Sequence, residues 1–137
     1  MVHAVWATKS RQPLLTKEVK PLVVKHIMEN AFEKKLFVDS LDGFTEHMHC
    51  LFSLDAELSV SKTLQLIKGE SSFWINKEKL TKSKFEWGDE YFAVSVSESA
   101  VPRVREYIQR QEIHHRSKSF ADEYDEFRAK YGFKSLG

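Results

Sequence analysis

Residues 46–54 read EHMHCLFSL, and this stretch decides the fold. Successive side chains of a β-strand point to opposite faces of the sheet. One face of such a strand would carry the apolar set Met48, Cys50, Phe52 and Leu54, and the other face would carry His47, His49, Leu51 and Ser53. A register shift of one residue would bury the histidines in the main core, so the pattern resists that shift. The stretch predicts a β-strand with two imidazoles on the face away from the core.

The segments on either side predict the order β-α-β-β-α-β, followed by two helices. Apolar periodicity and turn residues place strands at residues 2–8, 36–41, 46–54 and 91–97, and helices at residues 17–35, 59–76, from Ser99 onward, and 119–131. Asp42-Gly43 predicts the turn between the second and third strands, and the flanking residues also allow a slightly longer loop. This order is typical of an α+β, ferredoxin-like split βαβ fold. It has a four-stranded antiparallel sheet with helices on one face, here extended by a C-terminal helix that bears a tyrosine.

Composition narrows the class of protein. A chain of 137 residues is long enough for one core and short for two, so we expect a single domain over residues 1–137. The single cysteine, Cys50, excludes an intramolecular disulfide and fits a reducing cytoplasm. No apolar run approaches the roughly 18 residues of a membrane span. The net charge of +1 means that any nucleic-acid surface must come from local clustering of basic residues.

Tyr107 and Gln111 are four residues apart in a helical stretch, so they share one helix face. Apolar positions of the same stretch, Val101, Val104 and Ile108, can dock this helix on the sheet face that the fold leaves open. If helix and strand meet, two imidazoles, an amide oxygen and a phenol surround one point. Those groups are what a metal-assisted tyrosine nucleophile requires.

Each feature taken alone favours a structural role. Two histidines on a strand are often partly exposed surface residues, and a lone tyrosine is usually packing. His114 and His115 would point about 100° apart on a helix, so they predict no joint site. The lysines between residues 77 and 84 favour a solvated loop, and neither His3 nor His26 carries a readable signal. Only the combination of the strand motif and the helix motif favours a catalytic role.

Four motifs together resemble one family. They are residues 5–9 (VWATK), the triplet His47-Met48-His49, the step Lys68-Gly69 within residues 64–72, and Tyr107-Ile108-x-x-Gln111-x-x-His114-His115. The chain resembles the single-tyrosine HUH transposases of the insertion-sequence two-hundred/six-hundred-and-five group, including the repeat-associated tyrosine transposases. The similarity covers nearly the whole chain.

The resemblance implies a metal-dependent DNA transposase. One divalent cation, Mg²⁺ or Mn²⁺, would be held by His47, His49 and Gln111, and imidazole ligands suit Mn²⁺ better. Tyr107 would attack a DNA phosphate and leave a 5′-phosphotyrosine link and a free 3′-hydroxyl.

The proton acceptor for the tyrosine is left open by the sequence. A free tyrosine has a pKa of about 10, so a base or the metal must assist it at neutral pH. Glu46 and Glu112 are both candidates for that base.

The implied partners are hairpin ends of single-stranded DNA and a second copy of the chain. In the family, the tyrosine helix of one subunit completes the histidine site of the other, and this sequence is compatible with assembly in cis or in trans. Charge and position suggest six DNA contacts: Lys9, Arg11, Lys62, Lys68, Arg103 and Arg105.

Three functions stay open at this point. The first is an active transposase. The second is a domesticated single-stranded nucleic-acid-binding module without transposition activity, which the near-neutral charge weakly disfavours. The third is another HUH-type nicking endonuclease, such as a replication initiator or a relaxase. A relaxase is disfavoured by the small size of the chain and by the single tyrosine of the motif, which lies on a helix after the fourth strand.

Overall fold

The computed structural model describes residues 1–111, 119–123 and 125. The strands are β1 (Val2–Thr8), β2 (Val38–Gly43), β3 (His47–Phe52) and β4 (Trp87–Ser95), and the helices are α1 (Val19–Glu33), α2 (Val60–Lys77) and α3 (Val101–Gln109). Residues 120–123 are also helical. The predicted order β-α-β-β-α-β is confirmed. Most of the predicted final helix, residues 119–131, lies outside the described residues.

All neighbouring strands of the sheet are antiparallel, in the order β2-β3-β1-β4. The first two strands in sequence are therefore separated by the third, which is the split βαβ arrangement. The predicted α+β fold is confirmed. Within the described residues, no helix is long and apolar enough to cross a membrane.

Strand β3 is buried on both faces along its whole length. Met48, Cys50 and Phe52 join the main core, which also contains residues of α1 and α2. His47 and His49 have no exposed surface on the opposite face, where α3 contacts β2 and β3. An antiparallel sheet commonly leaves one face in water. Here the second face is covered, and it is the face that carries the histidines.

The hairpin between β2 and β3 differs from the prediction. Asp42 and Gly43 belong to β2, and the turn lies at residues 44–46, closed by a hydrogen bond of 3.0 Å from the Phe44 amide to the His47 carbonyl. The glycine serves close approach, because a Cβ at residue 43 would lie 2.0 Å from the His47 carbonyl oxygen. Asp42-Gly43 resembled a turn signal because a sequence does not distinguish a glycine that permits close packing from a glycine that forms a turn.

We expect Gly43→Ala to lower the free energy of unfolding by roughly 1–3 kcal/mol, because the Cβ meets backbone atoms that cannot rotate away. Gly69→Ala is the matched control, since its Cβ would meet nothing within 4 Å in α2. That change should raise the free energy of unfolding by about 0.5–1 kcal/mol through helix propensity. Urea denaturation measures both, and equal midpoints for the two variants would contradict the packing argument.

The strand β4 begins at Trp87 instead of residue 91, because Trp87 pairs with Thr8 beyond an irregularity in the ladder. The buried stripe of α1 is narrow, since the apolar residues Leu22 and Phe32 of this helix are 48% and 84% exposed. Its buried members are Lys20, Val23, Ile27 and Ala31. The Lys20 ammonium is accommodated there because it donates to the Gly43 carbonyl at 3.0 Å.

Candidate active site

The two histidines of β3 are held by hydrogen bonds at their Nδ1 atoms. His47 Nδ1 lies 2.7 Å from Glu46 Oε1, and His49 Nδ1 lies 2.9 Å from Nε2 of His3. The two β3 rings are 5.1 Å apart between centroids and nearly perpendicular, at 74°. Both Nε2 atoms contact one carboxylate, that of Glu123. Two buried imidazoles therefore present the same atom to a common point.

Helix α3 places Tyr107 over these rings, and Gln111 lies two residues beyond the end of the helix at Gln109. The Ile108 side chain of α3 is fully buried. The Tyr107 ring lies 5.5 Å from the His49 ring, edge to face, and Gln111 Oε1 lies 3.2 Å from His47 Nε2. The structure thus brings the four residues of the predicted site together within one chain.

An ion pair anchors α3 to the edge strand β2. The Arg105 guanidinium donates twice to the Asp39 carboxylate, at 2.8 Å in each bond. These hydrogen bonds from Arg105 hold the pKa of Asp39 below its ordinary value of 3.8. A lowered folded-state pKa means that the pair stabilises the native state above that ordinary value and ceases to do so as pH falls through the folded pKa.

We therefore expect Asp39→Asn to lower the urea midpoint at about pH 7, and we expect the gap from wild type to shrink as pH falls below 3.8 and through the lowered folded-state pKa of Asp39, where the wild-type carboxyl becomes protonated as well. Asp89→Asn, at an exposed position of β4, is the control and should leave the midpoint unchanged. A gap between wild type and Asp39→Asn that stays constant with pH would show that the pair does not anchor the helix.

Glu123 is the functional residue that sequence reasoning missed. Its Oε1 lies 2.7 Å from His49 Nε2 and 3.4 Å from His47 Nε2, and its Oε2 accepts a hydrogen bond from the Tyr107 hydroxyl. One buried carboxylate therefore links the Tyr107 hydroxyl to both imidazoles. Ligand atoms of His47, His49 and Glu123 all lie within 4.8 Å of one another. The signal available in the sequence was weak: Phe120 and Glu123 are three residues apart in a predicted helix, so they share one face. In the structure both side chains are buried.

Burial and neighbouring charge set the protonation of the site. Burial alone lowers the pKa of His47, but hydrogen bonds to the carboxylates of Glu123 and Glu46 outweigh it, so the net pKa is raised. Burial, with the nearby His49, lowers the pKa of His3 to about 3, so that ring is neutral at neutral pH.

Cys50 is not a candidate nucleophile. It lies on the core face of β3, and burial raises the pKa of its thiol to about 12. Thiolate is the reactive form of cysteine, so this side chain is inert at neutral pH.

An aromatic stack closes the site on the side of β1. The Phe120 ring lies 4.1 Å from the His47 ring and is nearly parallel to it, at 9°. The Arg11 guanidinium carbon lies 5.1 Å from the centre of the Phe120 ring. Both residues line a groove of about 380 Å³ along β1 and β4. A cationic side chain therefore lines this groove, and it packs on the same Phe120 ring that stacks on His47.

The six basic residues suggested as DNA contacts do not form one surface. Lys9 is near Arg11 but pairs with Glu86 at 3.2 Å. Lys68 lies in a separate groove of about 750 Å³ between α2 and β4, and its ammonium donates to the Gly88 carbonyl at 2.7 Å. DNA binding by these residues stays a prediction.

The remaining basic residues have different surroundings. Lys62 on α2 and Arg103 on α3 are exposed. Arg105 has the structural role described above.

The remaining candidates from the sequence are Glu46, Glu112, His26, His114 and His115. Glu46 contacts His47 at 2.7 Å, and Glu112, His114 and His115 lie outside the described residues. His26 pairs with a carboxylate of α2, that of Glu70, at 2.6 Å, and it stacks on a tryptophan of that helix.

Comparison with known proteins identifies the family of the chain. The family model described as "Transposase IS200 like" matches residues 1–111. The ISDra2 transposase TnpA of Deinococcus radiodurans is 25% identical over 115 residues, which are 80% of this chain and 81% of that protein.

Two solved structures share the fold. A protein of Deinococcus radiodurans R1 assigned as a transposase superposes with a TM-score of 0.64 at 23% identity, over 80% of this chain and 88% of that one. A REP-associated tyrosine transposase bound to a REP hairpin superposes with a TM-score of 0.63 at 14% identity, over 83% and 67% of the two chains. Since the family model covers most of the chain, the protein belongs to the IS200-like transposase family.

Proposed function

We propose that this protein cleaves and rejoins single-stranded DNA at insertion-sequence ends, through a covalent 5′-phosphotyrosine intermediate and with a divalent cation. One observation carries the proposal. The Tyr107 hydroxyl and the Nε2 atoms of His47 and His49 contact the two oxygens of one buried carboxylate. Membership of a transposase family supports the class of reaction, and the converging groups support its chemistry.

The donor atoms fit a small divalent cation. Two imidazole nitrogens and a carboxylate oxygen lie within 4.8 Å of one another, and the Gln111 amide oxygen is 3.2 Å from His47 Nε2. Mixed nitrogen and oxygen donors without a thiolate favour Mn²⁺ or Mg²⁺ over a structural zinc. His47 and His49 would hold the cation together with Glu123, Gln111 or both. When bound, the cation would supply Lewis-acid polarisation of the scissile phosphate.

The protein side chains would carry the covalent steps. The Tyr107 oxygen attacks the phosphorus, forming a new P–O bond while the bond from phosphorus to the 3′ oxygen breaks. Glu123, which already accepts the phenol hydrogen bond, takes that proton and can return it to the departing 3′ oxygen. In the second half, the 3′-hydroxyl of another strand attacks the phosphotyrosine, and the tyrosine oxygen leaves. One phosphodiester replaces another, so no nucleotide hydrolysis is needed.

The substrate we propose is a hairpin end of single-stranded DNA. Two observations support it: a solved protein of the same fold was bound to a REP hairpin, and Arg11 lines a groove together with Phe120, the ring that stacks on His47. A homodimer is also proposed. Because Tyr107 contacts histidines of its own chain, such a dimer is not required to complete the site.

We further propose that residues 1–137 form one catalytic domain. The family model ends at residue 111, yet Glu123 beyond that limit reaches the same histidines. A cytoplasmic location stays a prediction.

The deciding experiment uses single-stranded hairpin oligonucleotides taken from the DNA that flanks the gene. With Mn²⁺ present, a 3′-labelled strand should become attached to the protein in a denaturing gel, and a 5′-labelled strand should be released with a free 3′-hydroxyl. Chelation by EDTA should prevent both. Binding without any adduct would favour the nucleic-acid-binding module, and equal cleavage of duplex DNA would favour a nicking endonuclease.

A further inference from the structure

His3 is a buried histidine that the proposed chemistry does not use. It lies on β1, where Val5 is paired with His49 and His3 with Leu51, so its side chain points to the same sheet face as the two β3 histidines. Its Nε2 is 2.9 Å from His49 Nδ1, and the two rings are 5.1 Å apart. The Tyr107 ring packs edge-on against it at 6.4 Å. His3 thus lies directly behind one of the histidines of the site.

We propose that His3 is a positioning residue, which sets the tautomer and ring orientation of His49 so that a lone pair on Nε2 faces the cation. This inference rests on the proposed function. A metal-binding histidine usually donates its other ring N–H to a neighbouring acceptor, which fixes both the tautomer and the ring. His3 is the neighbour at that atom of His49.

The contacts of His49 require a partner that can both donate and accept. In its contact of 2.7 Å with the Glu123 carboxylate, Nε2 of a neutral His49 donates, so Nδ1 must accept from Nε2–H of His3. With a cation at Nε2, the hydrogen of His49 must sit on Nδ1 and be donated to His3. A neutral imidazole can take either role by changing its own tautomer, whereas a carboxylate can only accept.

The other β3 histidine has a simpler partner. Glu46 accepts from Nδ1 of His47 at 2.7 Å, and this favours the tautomer with a lone pair on Nε2. Of these two histidines, only His49 therefore has its tautomer set by a partner that can change between donor and acceptor. The proposal predicts that the loss of His3 weakens cation binding without removing any ligand.

The test compares His3→Phe with His26→Phe, a matched change at a histidine that contacts α2 instead of the site. Calorimetry with Mn²⁺ should show roughly 10–100-fold weaker binding for His3→Phe and wild-type binding for His26→Phe. Equal binding by His3→Phe and wild type would overturn the inference alone. A wild-type protein that binds no Mn²⁺ would overturn the proposed function as well.

A second measurement needs no variant and keeps the inference testable if His3→Phe fails to fold. With ¹⁵N-labelled histidines in the wild-type protein, Mg²⁺ should move the hydrogen of His49 from Nε2 to Nδ1 and shift the His3 nitrogens in the same step. A His49 ring that keeps its hydrogen on Nε2 with Mg²⁺ bound would overturn the inference. So would a His3 ring that does not respond.

Discussion

Tyr107→Phe is expected to form no covalent adduct with DNA while binding the hairpin oligonucleotide as the wild type does. The change removes one oxygen atom and its hydrogen bond to Glu123, and it leaves the ring that packs 5.5 Å from His49. Removal of a catalytic nucleophile typically costs on the order of 10⁴-fold or more in rate. A denaturing gel reports the adduct, and a native gel shift reports binding.

Tyr91→Phe is the matched control for this change. Tyr91 is a buried tyrosine of β4 that packs in the core, and Lys68 lies 6.0 Å above its ring. Loss of its hydroxyl should leave adduct formation unchanged. An adduct that persists in Tyr107→Phe would remove the tyrosine from the mechanism.

Glu123→Ala should have the second large effect, because it removes the group that touches both histidines and the nucleophile. We expect Mn²⁺ to bind at least about 100-fold more weakly. This loss exceeds the range that is typical when a residue that only hydrogen-bonds to a metal ligand is removed. Cleavage should fall further, since the phenol also loses its proton acceptor. Calorimetry with Mn²⁺ and single-turnover cleavage measure the two effects separately.

Gln111→Ala tests the ligand set that the family resemblance implies. Its amide oxygen contacts only one of the two histidines, at 3.2 Å, so we expect a smaller loss of Mn²⁺ affinity than in Glu123→Ala. Glu106→Ala, at an exposed carboxylate of α3, is the control and should bind Mn²⁺ as the wild type does. If Gln111→Ala abolished Mn²⁺ binding and Glu123→Ala retained it, the cation would be held by His47, His49 and Gln111 as the resemblance implies.

The alternation of β3 was predictable because burial has a period of two along a strand. Apolar residues at positions 48, 50 and 52 could only face the helices, and that placed His47 and His49 together on the other face. The approach of Tyr107 and Gln111 to the histidines was also predictable from the four-residue spacing of a helix face, although α3 ends at Gln109 and Gln111 lies two residues beyond it. Local periodicity was therefore enough to assign both groups to their faces.

What the sequence alone determined was the order of elements and the side of each element on which the reactive groups lie. Only the tertiary structure decided which distant segments close over them. Glu123 comes 74 residues after His49, and His3 comes 46 residues before it, in stretches with no motif of their own. Gly43 looked like a turn residue until the carbonyl of His47 was seen beside it. The periodicity of a sequence indicates which face of a strand or helix a side chain lies on. The residues that it meets across the sheet depend instead on packing and hydrogen bonding between segments far apart in the chain.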